Sequence, residues 1–154
     1  MNELLGLFRS RNVEFIVVGA HALAYHGSPR FTGDLDLLVR PTDGNAERII
    51  LALEAFGFAD LGLSVADFTT PDTVIQLGHP PARVDILTAI TGVSWDAAFA
   101  GSVEGNLGAH RVLFLGLSEL ITNKRSTRRT RDLADLEALE SLDTGSTDDP
   151  PISS

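Results

Sequence analysis

Residues 16–39 read Ile16-Val17-Val18-Gly19-Ala20-His21-Ala22-Leu23-Ala24-Tyr25-His26-Gly27-Ser28-Pro29-Arg30-Phe31-Thr32-Gly33-Asp34-Leu35-Asp36-Leu37-Leu38-Val39. An apolar strand runs into Gly19, which permits a tight exit. Ala20 to Tyr25 then read as a short helix whose first amides are free to meet an anion. Gly27-Ser28-Pro29 is a turn, and a second strand carries Asp34 and Asp36. Residues i and i+2 of a strand point to one face. Both carboxylates therefore project together from an otherwise apolar strand, where each opposes the other's ionisation. A divalent cation between them removes the conflict. The alternative is an Asp-x-Asp turn in which each carboxylate caps backbone amides.

A third carboxylate lies downstream. Residues 73–77 and 83–88 read as two strands joined through Gly78-His79-Pro80-Pro81, which serves as a turn or hairpin loop. Asp85 sits among Val84, Ile86 and Leu87, where an isolated charge is costly. A metal shared with Asp34 and Asp36 resolves that cost; pairing with Arg83, or exposure to solvent, does so as well. His21 and His26 flank the short helix. An isolated histidine is more often a packed, hydrogen-bonded side chain than a ligand.

This ordered set resembles the DNA polymerase beta-type nucleotidyltransferase superfamily. It is most similar to the small bacterial branch of minimal nucleotidyltransferases and abortive-infection toxins. The likeness begins in Val18-Gly19-Ala20 through Asp34-Leu35-Asp36-Leu37. It continues through Val74 to Thr88, Gly92 to Phe99, and Asn123-Lys124-Arg125 with Arg131-Asp132-Leu133-Ala134-Asp135-Leu136. It spans residues 14–140.

The resemblance implies an α+β fold, with a mixed sheet of about four to six strands and helices packed on it, as in a polymerase beta-like palm. It implies that Asp34, Asp36 and Asp85 are catalytic metal ligands, holding two magnesium ions. Gly19, Ala20, Ser28 and Arg30 would lie near the triphosphate, and Lys124 would approach the nucleotide phosphates. The superfamily motif has Gly-Gly or Gly-Ser where this chain has Gly19-Ala20, so a hydroxyl is missing at position 20; backbone amides or Ser28 are the substitutes. Arg128-Arg129-Thr130 stands where the family has a glycine-containing turn. The implied function is transfer of a nucleoside monophosphate from an NTP to a hydroxyl of RNA, protein or a small molecule, with a link to toxin–antitoxin systems. The alternative is a non-catalytic nucleotide- or protein-binding module on the same fold, antitoxin-like; a third reading is a metal-dependent phosphoesterase.

Composition bounds these readings. The chain has 154 residues and 44% hydrophobic content, enough for one domain with a proper core. The absence of cysteine excludes disulfides, cysteine-ligated zinc and a thiol nucleophile. A formal net charge of −9 argues against broad phosphate-backbone binding. The basic residues are uneven: Lys124, Arg125, Arg128, Arg129 and Arg131 supply five of the twelve. No signal peptide and no run approaching the ~20 apolar residues of a membrane span is read, so a cytoplasmic location is expected. A chain this short leaves little acceptor-binding surface, and a protein partner or a homodimer is expected to complete the site.

The remaining elements follow from periodicity and capping. Helices are expected at 2–11, 44–56, from Ser94 to Phe99, at 119–126 with Ser118 as cap, and at 130–142. Residues 58–71 read as irregular, with a short helix near Val65–Phe68. Strands are expected at 14–18, 103–106 and 111–115, with Gly105 to Gly108 as the turn between the last two. Trp95 and Phe99 are expected to anchor their helix to the core. Leu133, Leu136, Ala138 and Leu139 are expected to form the core stripe of the last helix. Lys124 has two readings, phosphate contact or a solvated helix face. Residues 1–142 form the expected domain, and 143–154 read as a disordered acidic tail.

Overall fold

The run Phe15–Val18 (β1) is buried at all four positions, as a strand covered on both faces should be. It lies inside a six-stranded mixed sheet, seen here in a computed structural model that describes residues 2–28, 34–78, 83–127 and 130–147. The other strands are Asp34–Val39 (β2), Val74–Leu77 (β3), Arg83–Leu87 (β4), Val103–Leu107 (β5) and His110–Phe114 (β6), in the order β3-β4-β2-β1-β6-β5. β1 is antiparallel to β2 and parallel to β6, β2 is parallel to β4, and β3–β4 and β5–β6 are antiparallel pairs. The expected mixed sheet with helices on it is what the chain forms. Residues 79–82 of the β3–β4 connection lie outside the described residues.

The helices are Asn2–Ser10 (α1), Gly19–Tyr25 (α2), Asp43–Phe56 (α3), Trp95–Ala100 (α4), Leu117–Thr127 (α5) and Thr130–Thr147 (α6). Leu4, Leu5 and Phe8 of α1 are buried, as are Ala46, Ile49, Ala52 and Leu53 of α3, and the two helices pack together. Thr42 caps α3 by accepting the Asn45 amide, and Gly57 ends it in the left-handed conformation. Asn45, fully buried, accepts from the Glu14 amide at 2.7 Å and donates to the Glu14 and Arg40 carbonyls. One side chain thus ties the start of α3 to both central strands. Val65–Phe68 forms a short 3-10 turn with a capping box between Ser64 and Asp67. Among the described residues no helix is long and apolar enough to cross a membrane.

Several expectations are corrected. Gly105 lies inside β5, and the β5–β6 turn is Gly108-Ala109. The ring of Tyr25 stacks on Phe114, with centroids 4.3 Å apart, and a Cβ at Gly105 would fall 2.3 Å from that ring. A strand glycine here makes room for an aromatic side chain. α5 starts at Leu117, not Glu119, because the Gly116 carbonyl already accepts the Leu120 amide; Ser118 lies within the helix. Phe99 is 53% exposed and stacks on Trp95, while Ala98 is the buried residue of α4. Leu133 is exposed and Asp135 is buried on α6. Leu136 and Leu139 pack on the core as expected, joined by Leu142, while Asp135 rather than Leu133 is turned inward. α6 itself runs five residues past Leu142, to Thr147.

Candidate active site

Strand alternation builds the site. In β2, Leu35 and Leu37 are buried while Asp34 and Asp36 lie on the other face; in β4, Val84 and Ile86 are buried while Arg83 and Asp85 are not. The parallel register places Asp36 opposite Asp85 and Asp34 opposite Arg83. Across β1, Asp36 is opposite Val18, the residue before Gly19. The three carboxylates expected from the sequence therefore meet on one face, at the end of the sheet where β1 stops and β2 and β4 start.

Gly19 opens α2 with φ +68°, a conformation that a side chain resists. Arg83 lies among the carboxylates. Its Nη2 donates to Asp34 Oδ2 at 2.8 Å and approaches Asp85 Oδ2 at 3.5 Å; its Nε is 3.2 Å from Asp85 Oδ1, an ion-pair contact without hydrogen-bond geometry. Exposure falls from the rim inward, from 35% at the Asp34 side chain to 13% at that of Asp85.

Burial pushes the Asp36 carboxyl up to about 6, reinforced by the negative charges of Asp85 and Asp34 and opposed by Arg83. This is the behaviour of clustered carboxylates that lack sufficient counter-charge. Burial lowers the pKa of His21, and a hydrogen bond to the Asp34 main chain works against that. His26 is a structural residue, its Nε2 lying 2.8 Å from the Leu115 carbonyl.

Asp34, Asp36, Asp85 and Arg83 line a cleft of about 340 Å³, shared by Val18, Gly19, Ala20, Asp72, Asn123 and Lys124. Lys124 is 7% exposed, and its Nζ lies 3.6 Å from the buried Asp135 of α6. Of its two expected positions, the solvated helix face is excluded. Asp135 is likewise buried, as the counter-ion of Lys124. Arg125 pairs with Glu140 on the exposed side of the same two helices.

The structure thus brings together Asp34, Asp36, Asp85, Gly19, Ala20 and Lys124. Ser28 follows the C-terminal end of α2, its amide bonded to the Leu23 carbonyl, and it is not among the residues lining the cleft. Arg30, Arg128 and Arg129 lie outside the described residues. From the sequence, Arg83 reads only as an alternative partner for Asp85. The i, i+2 rule that placed Asp34 beside Asp36 also places Arg83 beside Asp85. Asp72 also lines the cleft, with φ 54°, and nothing in its sequence neighbourhood signals that.

The donor set suits a hard cation, since it consists of carboxylate oxygens and no sulfur. Asp34, Asp36 and Asp85 are the residues that could hold it. Among the described residues, no three acidic or histidine side chains are arranged to close on one ion as they stand; the Arg83 guanidinium is bound to two of the three carboxylates.

No protein-family model matches the chain, and no curated protein matches it. Solved structures do. A candidate nucleotidyltransferase from Thermotoga maritima is 13% identical, with a TM-score of 0.54 over 96% of this chain and 90% of that one. The lincosamide antibiotic adenylyltransferase LnuA, in its lincomycin-bound structure, is 15% identical, with a TM-score of 0.52 over 92% and 96%. The antibiotic-resistance factor ANT(2'')-Ia is 12% identical, with a TM-score of 0.50 over 95% and 88%. At these identities the likeness establishes the fold: six strands and six helices among the described residues, arranged as in nucleotidyltransferases.

Proposed function

We propose that this chain, built on the nucleotidyltransferase fold, is a metal-dependent enzyme that moves a nucleoside monophosphate from an NTP to a hydroxyl acceptor. The observation that carries this is the register of β2 and β4, which sets Asp36 against Asp85 and Asp34 beside them at the mouth of a cleft walled by Lys124. Metal dependence rests on that donor set and on the burial of Asp36, which with the neighbouring negative charges raises its pKa.

Nucleotidyl transfer needs little covalent participation from the protein; positioning and charge stabilisation do most of the work. Asp34, Asp36 and Asp85 would hold magnesium, which when bound would supply neutralisation of phosphate charge. Asp85 takes the proton of the acceptor hydroxyl as its oxygen bonds to the α-phosphorus. The bond from the α-phosphorus to the bridging oxygen breaks, and pyrophosphate leaves with that electron pair. Lys124, held by Asp135, stabilises charge on the leaving phosphates. The Gly19 and Ala20 backbone at the close turn stands in place of a side-chain hydroxyl. LnuA is an adenylyltransferase of a lincosamide antibiotic, which favours a small hydroxylated acceptor for this chain over RNA, as does its net charge of −9.

The test is calorimetric titration of each NTP into the protein with and without magnesium, beside an Asp34→Asn/Asp36→Asn double variant. Magnesium-dependent binding lost in the variant is the expected result. No binding by a folded wild-type chain would overturn the enzymatic reading and leave the non-catalytic module.

A further inference from the structure

Arg83 occupies the position in which the site's cation is expected. It is the residue opposite Asp34 in the β2–β4 ladder and two residues before Asp85 in β4. One guanidinium thereby spans two of the three carboxylates, at 2.8 Å from Asp34 Oδ2 and 3.2 Å from Asp85 Oδ1. The two halves of this bridge differ. The contact to Asp34 has hydrogen-bond geometry. The Nε and Oδ1 atoms of the contact to Asp85 are buried, and neither has a hydrogen-bond partner. Only the long Nη2–Oδ2 contact of 3.5 Å gives that half hydrogen-bond geometry, so it is the weaker one, and largely buried pairs of this kind gain little net free energy.

A divalent ion entering the cluster needs the same oxygens. It offers twice the charge and direct coordination to hard oxygen ligands, so it and Arg83 compete. A guanidinium released from Asp34 and Asp85 stays in the cleft that Lys124 also lines. Its planar fork of donors matches phosphate oxygens.

We infer that Arg83 is a resident counter-ion, which a divalent metal displaces from Asp34 and Asp85 and which then turns to the triphosphate. Metal and nucleotide are therefore taken up together in preference to metal alone. This rests on the transferase reading of the site. It goes further in assigning a role to a residue outside the three carboxylates, and in setting the order in which the site fills.

Two binding measurements of opposite expected sign test it, neither of them requiring turnover. Mn2+ alone is titrated into wild type and Arg83→Gln by electron paramagnetic resonance. Inorganic tripolyphosphate, which is indifferent to base preference, is then titrated calorimetrically at saturating Mn2+. The expected result is that Arg83→Gln binds Mn2+ about tenfold tighter and tripolyphosphate about tenfold weaker, the size of one charge-assisted hydrogen bond in each direction. If both affinities rise, Arg83 merely repels the metal and the inference is overturned. Unchanged or weaker Mn2+ binding overturns it as well, while wild-type binding of metal with tripolyphosphate leaves the transferase reading standing. A wild-type chain that binds neither removes that reading, and this inference with it. Should Arg83→Gln fail to fold by circular dichroism, Arg83→Lys carries the same test. It keeps the charge but cannot span both carboxylates, so the same signs are expected at smaller size.

Discussion

A Cβ placed on Gly19 would stand 2.2 Å from Oδ2 of Asp36, and Gly19 holds φ +68°. The turn into α2 and the central carboxylate of the cluster are fitted to each other with no space for a methyl group. Gly19→Ala therefore has to move Asp36 or the turn, besides adopting a left-handed backbone conformation worth about 1–2 kcal/mol. On the proposed function, nucleotidyl transfer is expected to fall by at least about a hundredfold, since misplacement by an ångström costs that much. Melting temperature and labelled-NTP transfer measured on the same sample check this. Full activity in the variant would refute the fit.

Asp36 gives a pH signature. Its folded pKa, about 6, lies above the ordinary carboxyl value. The folded chain therefore holds this proton over a range in which the unfolded chain has lost it. By linkage the associated stability is full below the ordinary value and is lost as pH rises towards and through about 6. Without metal, Asp36→Asn is expected to raise the melting temperature at pH 7.5 and to do so less at pH 5. Magnesium affinity of the wild type should weaken as pH falls through about 6, because the ligand must be ionised. Thermal melts in chelator and metal titrations at both pH values read the two effects.

Lys124 and Asp135 form a buried cross-helix pair. Breaking a buried pair by removing one charge costs about 3 kcal/mol. Asp135→Asn should therefore destabilise the chain in urea unfolding and weaken NTP binding. Lys124→Met/Asp135→Leu should recover most of the stability and none of the NTP affinity. Recovery of both would make the pair purely structural.

Asn45 carries the link between α3, the start of β1 and the end of β2. Asn45→Leu leaves one amide and two carbonyls without this partner, a loss of about 3 kcal/mol. It should appear in denaturant midpoint, with magnesium-dependent NTP binding retained under native conditions because the cleft is untouched.

Much of this was legible in the sequence. The alternation around Asp34, Asp36 and Asp85 fixes which side chains share a face, because a strand has a period of two residues. Gly19, Gly57 and the apolar faces of α1 and α3 could be read for equally local reasons. The errors arose where a local pattern has two solutions. Gly105 reads as a turn residue until Tyr25 is seen to need the space above it. Leu133 reads as core until Asp135 is seen turned inward to Lys124.

The sequence by itself determined the strand pattern, the apolar faces and the identity of the three carboxylates, since these depend on spacing along one chain. Only the tertiary structure decided that Asp36 faces Asp85, that Arg83 bridges Asp34 and Asp85, and that Lys124 is buried against Asp135. Those relations join strands and helices far apart in sequence. Strand register and helix rotation set them, and both are settled by which packing buries the most apolar surface while leaving every buried charge a partner.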